Sequence, residues 1–62
     1  MNYTTCQLWK ITLKSPLEEH PEPLIYWGYN ISEKAATQAS IRWADEEVPT
    51  GDYRVDTVDL LK

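Results

Sequence analysis

The chain has 62 residues, enough for one small domain (1–62) and too few for a large core. Ten acidic against six basic residues give a net charge of -4, which opposes non-specific binding to nucleic acid because that binding depends on cations meeting phosphates. One cysteine cannot form an internal disulfide, whereas a secreted domain of this size normally needs several, so a cytoplasmic location is expected.

The first predicted element is a strand over residues 3–14. Its odd positions are apolar and alternate with lysine and threonine, which predicts that they face the core: Trp9, Ile11 and Leu13. Cys6 and Leu8 then lie on the other face. The segment that follows, residues 15–23, contains three prolines, three glutamates and a histidine, and is predicted to be a long, solvated hairpin loop.

Residues 24–31 predict a second strand that is apolar or aromatic on both sides. One side carries Ile25, Trp27, Tyr29 and Ile31, and the other carries Leu24, Tyr26, Gly28 and Asn30. Gly28 indicates either a bulge or the close approach of another group. Because both sides are apolar, alternation alone leaves open whether Trp27 belongs to the core or to the surface.

A helix is predicted to begin after Ser32 and to end near Glu47. Ser32 is a typical N-cap, and Glu33 in the first turn suits the positive end of the helix dipole. One face has small residues and a single tryptophan at helical spacing: Ala35, Ala36, Ala39, Ser40, Trp43 and Ala44. Ile41 projects away from this face and is therefore a candidate partner contact.

Residues 48–52 predict a turn, with a proline that ends the helix and a Gly-Asp pair that turns the chain. Residues 53–61 predict the last strand. Tyr53 and Val55 share one face of it, whereas Val58 and Leu60 share the other. Either a bulge changes the register within this strand, or both of its faces are partly buried.

These elements predict an α+β fold with the order ββαβ, in which a three-stranded sheet of order 2-1-3 has the helix on one face. The second face of the sheet would remain open, with Cys6, Leu8, Tyr26 and, in one register of the last strand, Val58 and Leu60. Together they would form an apolar patch. Self-association through this face or through an edge strand is the simplest way to cover it.

Few residues are candidates for catalysis or metal binding, and we expect no enzymatic activity. His20 lies in the acidic loop with no evident base or nucleophile beside it, and Cys6 has no cationic neighbour in sequence. The acidic pairs show no fixed liganding spacing, and Gly28 and Gly51 do not make a phosphate-binding loop. We therefore predict no catalytic residue, no metal and no cofactor.

No stretch approaches the roughly 20 apolar residues of a membrane span, so a membrane partner is not expected either.

The function that this pattern favours is binding to a protein partner, with anchoring apolar residues and a rim of acids that steers a basic groove. The predicted contact residues are Tyr26, Leu8, Ile41, Glu18, Glu19, Glu46 and Glu47. One alternative is a small RNA- or DNA-binding domain that stacks bases on the open sheet face, with Tyr26, Lys10 and Lys14. Another is a structural homodimer.

The segment from Trp9 to Leu60, with the helix SEKAATQASIRWA between an aromatic strand and the closing strand YRVDTV, resembles small accessory proteins of bacteriophages and other mobile elements. That family includes anti-CRISPR proteins that are compact sheet-and-helix domains. The resemblance implies an inhibitor or modulator of a host protein that handles nucleic acid. It covers most of the chain and assigns no role to any single residue.

Overall fold

The computed structural model describes residues 5–61, which form three strands and a helix: β1 (Gln7–Lys14), β2 (Leu24–Asn30), α1 (Glu33–Glu47) and β3 (Arg54–Leu61). The strands form one sheet of order β2-β1-β3, in which β1 pairs antiparallel with both neighbours. The predicted α+β class and the predicted strand order 2-1-3 are confirmed. No helix in the described range is long and apolar enough to cross a membrane.

β1 begins at Gln7, later than predicted, because the pairing with its neighbouring strands stops there. Asn30, the last residue of β2, pairs with Gln7, and Leu61, the last residue of β3, pairs with Leu8. Thr5 and Cys6 therefore have no paired neighbours and are not part of the strand. The predicted start at residues 3 and 4 lies outside the described residues.

The core lies between α1 and one face of the sheet, here called the covered face. Trp9, Ile11 and Leu13 point into it from the central strand, as their alternation predicted. Each is less than 10% exposed, and the Trp9 indole N–H donates a hydrogen bond to the Asn30 carbonyl at 3.1 Å. The burial of these three side chains supplies much of the stabilisation that so short a chain can obtain.

A bulge in β3 resolves the two alternatives for the last strand. Thr57 pairs with Thr12 and Val55 pairs with Leu13, so Asp56 is an extra residue between them. The extra residue shifts the alternation by one position. Val55 and Val58 can therefore both pack against the core.

The helix begins as predicted, with the Ser32 hydroxyl accepting a hydrogen bond from the Ala35 N–H at 3.1 Å. Small residues on its inner face allow its backbone to lie close to the sheet: Ala36, Ser40 and Ala44 are buried. The buried Ser40 hydroxyl donates to the Thr37 carbonyl at 2.7 Å, so it does not need a partner in the core.

The proline-rich loop is anchored to the turn that follows the helix. The Ser15 hydroxyl donates to the Gly51 carbonyl, and the Tyr53 hydroxyl donates to the Glu22 carbonyl at 3.1 Å. His20, which we expected to be fully solvated, is half-buried with its ring 6.0 Å from that of Tyr53. These contacts bring the loop and the end of the helix to the same end of the molecule.

Candidate functional site

The face of the sheet opposite α1, here called the open face, is not covered by any described element. Cross-strand partners share a face, so the register defines it as three rows across β2, β1 and β3. The rows are Ile25–Thr12–Thr57, Trp27–Lys10–Asp59 and Tyr29–Leu8–Leu61. Apolar side chains therefore concentrate along β2 and toward the third row.

The most exposed large side chains of this face lie on β2. Trp27 is 56% exposed and Tyr29 is 70% exposed, although such residues are usually well buried in a folded domain. Tyrosine and tryptophan are also the residues that most often dominate the energetics of a protein interface. Exposure of both on one strand points to contact with another molecule.

A shallow groove of about 330 Å³ lies at one end of the open face, between Leu8, Tyr29 and Leu61. Cys6, a free and exposed cysteine just before β1, and Gln7 complete its lining. None of the described residues that line it has a charged side chain. An apolar side chain from another molecule would fit such a groove better than a charged one.

Each described cation of the open face lies beside an acidic residue. Lys14 forms an ion pair with Asp56 at 3.4 Å, and Arg54 forms one with Asp52 at 2.9 Å. Lys10 pairs across the sheet with Asp59 and also lies 5.4 Å from the centre of the Trp27 ring. Among residues 5–61 the charges of the open face are therefore nearly balanced, which does not suit strong attraction to a phosphate backbone.

Tyr26 does not lie on the open face, and that prediction is wrong. It pairs with Ile11 on the covered face and packs against the core, with its ring 5.9 Å from that of Trp43. Its hydroxyl accepts a hydrogen bond from the Asn30 side-chain amide at 3.2 Å. Its ring also lies over Gly28, where a Cβ atom would overlap it, so the close approach expected at that glycine is confirmed.

The bulge excludes the register that would place Val58 and Leu60 on the open face. Val58 pairs with Ile11 and Leu60 pairs with Trp9, so both belong to the covered face. Leu61 takes the place on the open face that we expected Leu60 to have. The sequence showed two possible registers, and only the position of the extra residue decided between them.

The other predicted contact residues are exposed but lie far from Leu8. Glu18 and Glu19 lie in the loop, and Glu46 and Glu47 lie at the end of the helix, all at the end of the molecule where Ser15 meets Gly51. Leu8 is near the opposite end of β1, roughly 20 Å away at about 3.3 Å per residue. Ile41, 39% exposed, lies on α1. The predicted set is thus divided among different surfaces.

No group of three or more metal-liganding side chains occurs within residues 5–61. A second depression, of about 270 Å³, lies between the loop and Tyr53, with Glu19, His20 and Glu22 in its lining. His20 has its ring against Tyr53 rather than against a nucleophile. This arrangement resembles none of the constellations that acid–base or nucleophilic catalysis uses.

Comparison with known proteins adds no relative: no protein-family model matches the chain, and no curated protein and no solved structure is significantly similar to it. The open face must therefore be interpreted from its own residues.

The predicted contact residues did not include Trp27, Tyr29 and Leu61, and for Trp27 the sequence left open whether it lies in the core or on the surface. The signal for the first two was Gly28, since a tyrosine can fold over the strand only beside a residue with no side chain. That places Tyr26 and Gly28 together against the helix and leaves Trp27 and Tyr29 outside. For Leu61 the sequence contained no comparable signal.

Proposed function

We propose that this protein is a non-catalytic, cytoplasmic binding module that recognises another protein through the open face of its sheet. The observation that carries the proposal is the pair of exposed aromatic side chains, Trp27 and Tyr29, on a face whose described cations each lie beside an acidic residue. Burying such side chains against a partner removes apolar area from water without leaving an unpaired charge at the interface.

The acidic end of the molecule supports the finer proposal of an inhibitor that targets a host protein handling nucleic acid. Glu18 and Glu19 of the loop and Glu46 and Glu47 of the helix are exposed at that end. A protein that binds nucleic acid has a basic surface, which these carboxylates would attract over a distance of about 10 Å at cellular ionic strength. They would speed association, while the open face would hold the complex.

The test is affinity capture of the tagged protein from lysate of its source, with and without nuclease, with Trp27→Ala as the main variant. We expect one protein in stoichiometric amount that resists nuclease and is lost with Trp27→Ala. Ile41→Asp is the control, because Ile41 is also an exposed apolar residue but lies on the helix. Loss with Ile41→Asp and retention with Trp27→Ala would overturn the proposal.

A second candidate function is supported by the contact between Lys10 and Trp27. An aromatic ring beside a cation on an open sheet can stack a nucleic-acid base and contact its phosphate. In that case the affinity for a single-stranded oligonucleotide would fall steeply with salt and with Lys10→Glu. Capture that disappears after nuclease treatment would favour this function over protein binding.

A further inference from the structure

We infer that two copies of this chain pair along their β2 edges, antiparallel and about a two-fold axis, to form one six-stranded sheet. The inference deepens the proposed function and rests on it, because the paired copies would present one enlarged open face to the partner. It follows from a difference between the two edges of the sheet, from the order of side chains along β2, and from where the acidic residues lie.

The two edge strands differ in the features that prevent edge pairing. β3 carries Arg54, Asp56 and Asp59, and its ladder is interrupted by the bulge at Asp56. β2 has the sequence LIYWGYN, with no charge, no proline and an unbroken register with β1. Proteins protect exposed edges with charges, prolines and bulges, so β3 is a protected edge and β2 is not.

The apolar side chains along β2 are arranged to meet a second copy. Ile25, Trp27 and Tyr29 of β2 are 42%, 56% and 70% exposed, and Ile31, just after the strand, is 56% exposed. In an antiparallel pair centred on Trp27, each Trp27 would lie opposite its counterpart and each Ile25 opposite Tyr29 of the second copy. Aromatic and β-branched pairs of this kind are those that stabilise neighbouring strands.

The net charge of -4 favours antiparallel over parallel pairing of the two β2 strands. β2 itself contributes no charge to the contact. Antiparallel pairing places the loop that precedes Leu24 in one copy beside Asn30 of the other. The two acidic loops are then separated by the length of β2, about 20 Å, which exceeds the Debye length of about 8–10 Å. Parallel pairing would place them side by side.

The helices leave room for the pairing. α1 contacts β1 and β2 to a similar extent and β3 somewhat less, so its axis lies between the central strand and β2. In the paired sheet these positions in the two copies would be two strand spacings apart, about 10 Å. Packed helices have axes about 8–10 Å apart, so the two copies of α1 would fit side by side without a collision.

The experiment is sedimentation equilibrium of the full chain over a wide concentration range, with two lysine variants of one cross-strand row. Ile25→Lys places the charge on the β2 edge, and Thr57→Lys places it on the β3 edge of the same row. Both positions are exposed, so both variants should fold, which circular dichroism checks. We expect a dimer in the unmodified chain, a dissociation constant raised at least about ten-fold by Ile25→Lys, and little change with Thr57→Lys.

Three outcomes would overturn the inference. A monomer at every concentration shows no pairing, and equal loss with both variants shows packing of open face against open face. No loss with either variant shows contact through another surface. In each of these cases the proposed function would still hold if partner capture depended on Trp27. Failure of the pairing and failure of the proposed function can therefore be distinguished.

The register has its own test by disulfide cross-linking in a Cys6→Ser background. Chains with Ile25→Cys, mixed with chains that carry Tyr29→Cys, should form the mixed disulfide, because these positions lie opposite each other in the inferred pairing. Either variant alone should cross-link much less. Equal cross-linking of single variants and mixtures would contradict the register centred on Trp27.

Discussion

The covered face and the open face of the sheet both carry large apolar side chains, but they use them differently. On the covered face Ile11 and Leu13 are fully buried beneath α1, whereas on the open face Trp27 and Tyr29 remain more than half exposed. A single helix over three strands can cover one side only. The apolar side chains of β2 on the covered face therefore stabilise the fold, whereas those on the open face remain available for binding.

The largest expected effect uses the same substitution on the two faces. Ile11→Ala should reduce the free energy of unfolding by about 2–5 kcal/mol, because it leaves a cavity in the core and Ile11 is 0% exposed. Ile25→Ala, at 42% exposure, should reduce it by less than about 1 kcal/mol. Urea denaturation at the lowest usable protein concentration measures both. Equal losses would mean that the open face is part of the folding core.

The next largest effect is expected at Gly28, which has no side chain and so leaves room for the Tyr26 ring on the covered face. Gly28→Ala would place a Cβ atom against the Tyr26 ring and displace it from Trp43, so we expect a loss of about 1–2 kcal/mol in unfolding free energy. The control is a double-mutant cycle with Tyr26→Ala, in which the alanine at position 28 should become neutral or stabilising. Additive effects of the two substitutions would show that the ring and the glycine are not coupled.

A smaller effect is expected at the start of the helix that covers the sheet. Ser32→Ala removes the acceptor for the Ala35 N–H and should lower the melting temperature by about 4–8 °C, the equivalent of about 1 kcal/mol. Ser32→Asp, which retains an acceptor at the cap, should restore most of the loss. Failure of aspartate to restore stability would show that the cap hydrogen bond contributes little.

The smallest effect concerns the ion pair between Lys14 and Asp56 beside the open face. Both side chains are largely exposed, so Lys14→Gln should change the free energy of unfolding by less than about 0.5 kcal/mol. Thermal melts at low and high salt provide the check. A larger loss that vanishes at high salt would mean that this pair helps to hold the bulge in β3.

Much of the fold could be predicted from local patterns. Trp9, Ile11 and Leu13 alternate with polar residues, so their side of β1 was predictable from a period of two. Ser32 and the small residues that follow it predicted both the start and the inner face of α1. Each of these features depends on neighbours within a few positions of the chain, where periodicity and capping are effective guides.

The candidate site could be predicted only in part. Leu8 was placed on the correct face, but Tyr26 was not, because a strand that is apolar on both sides does not reveal which side is buried. A nine-residue hairpin loop also sets no register by its length, unlike a two-residue turn. The face that β2 exposes therefore had to come from its pairing with β1.

Local spacing was enough to predict the α+β class of this protein, the order of its elements, the buried side of β1 and the capped helix. The three-dimensional structure was needed to show that Trp27 and Tyr29 face outward, that the bulge at Asp56 moves Val58 inward, and that the acidic residues gather at one end. The physical reason is that these features depend on cross-strand register and on contacts between residues distant in sequence, such as Ser15 and Gly51.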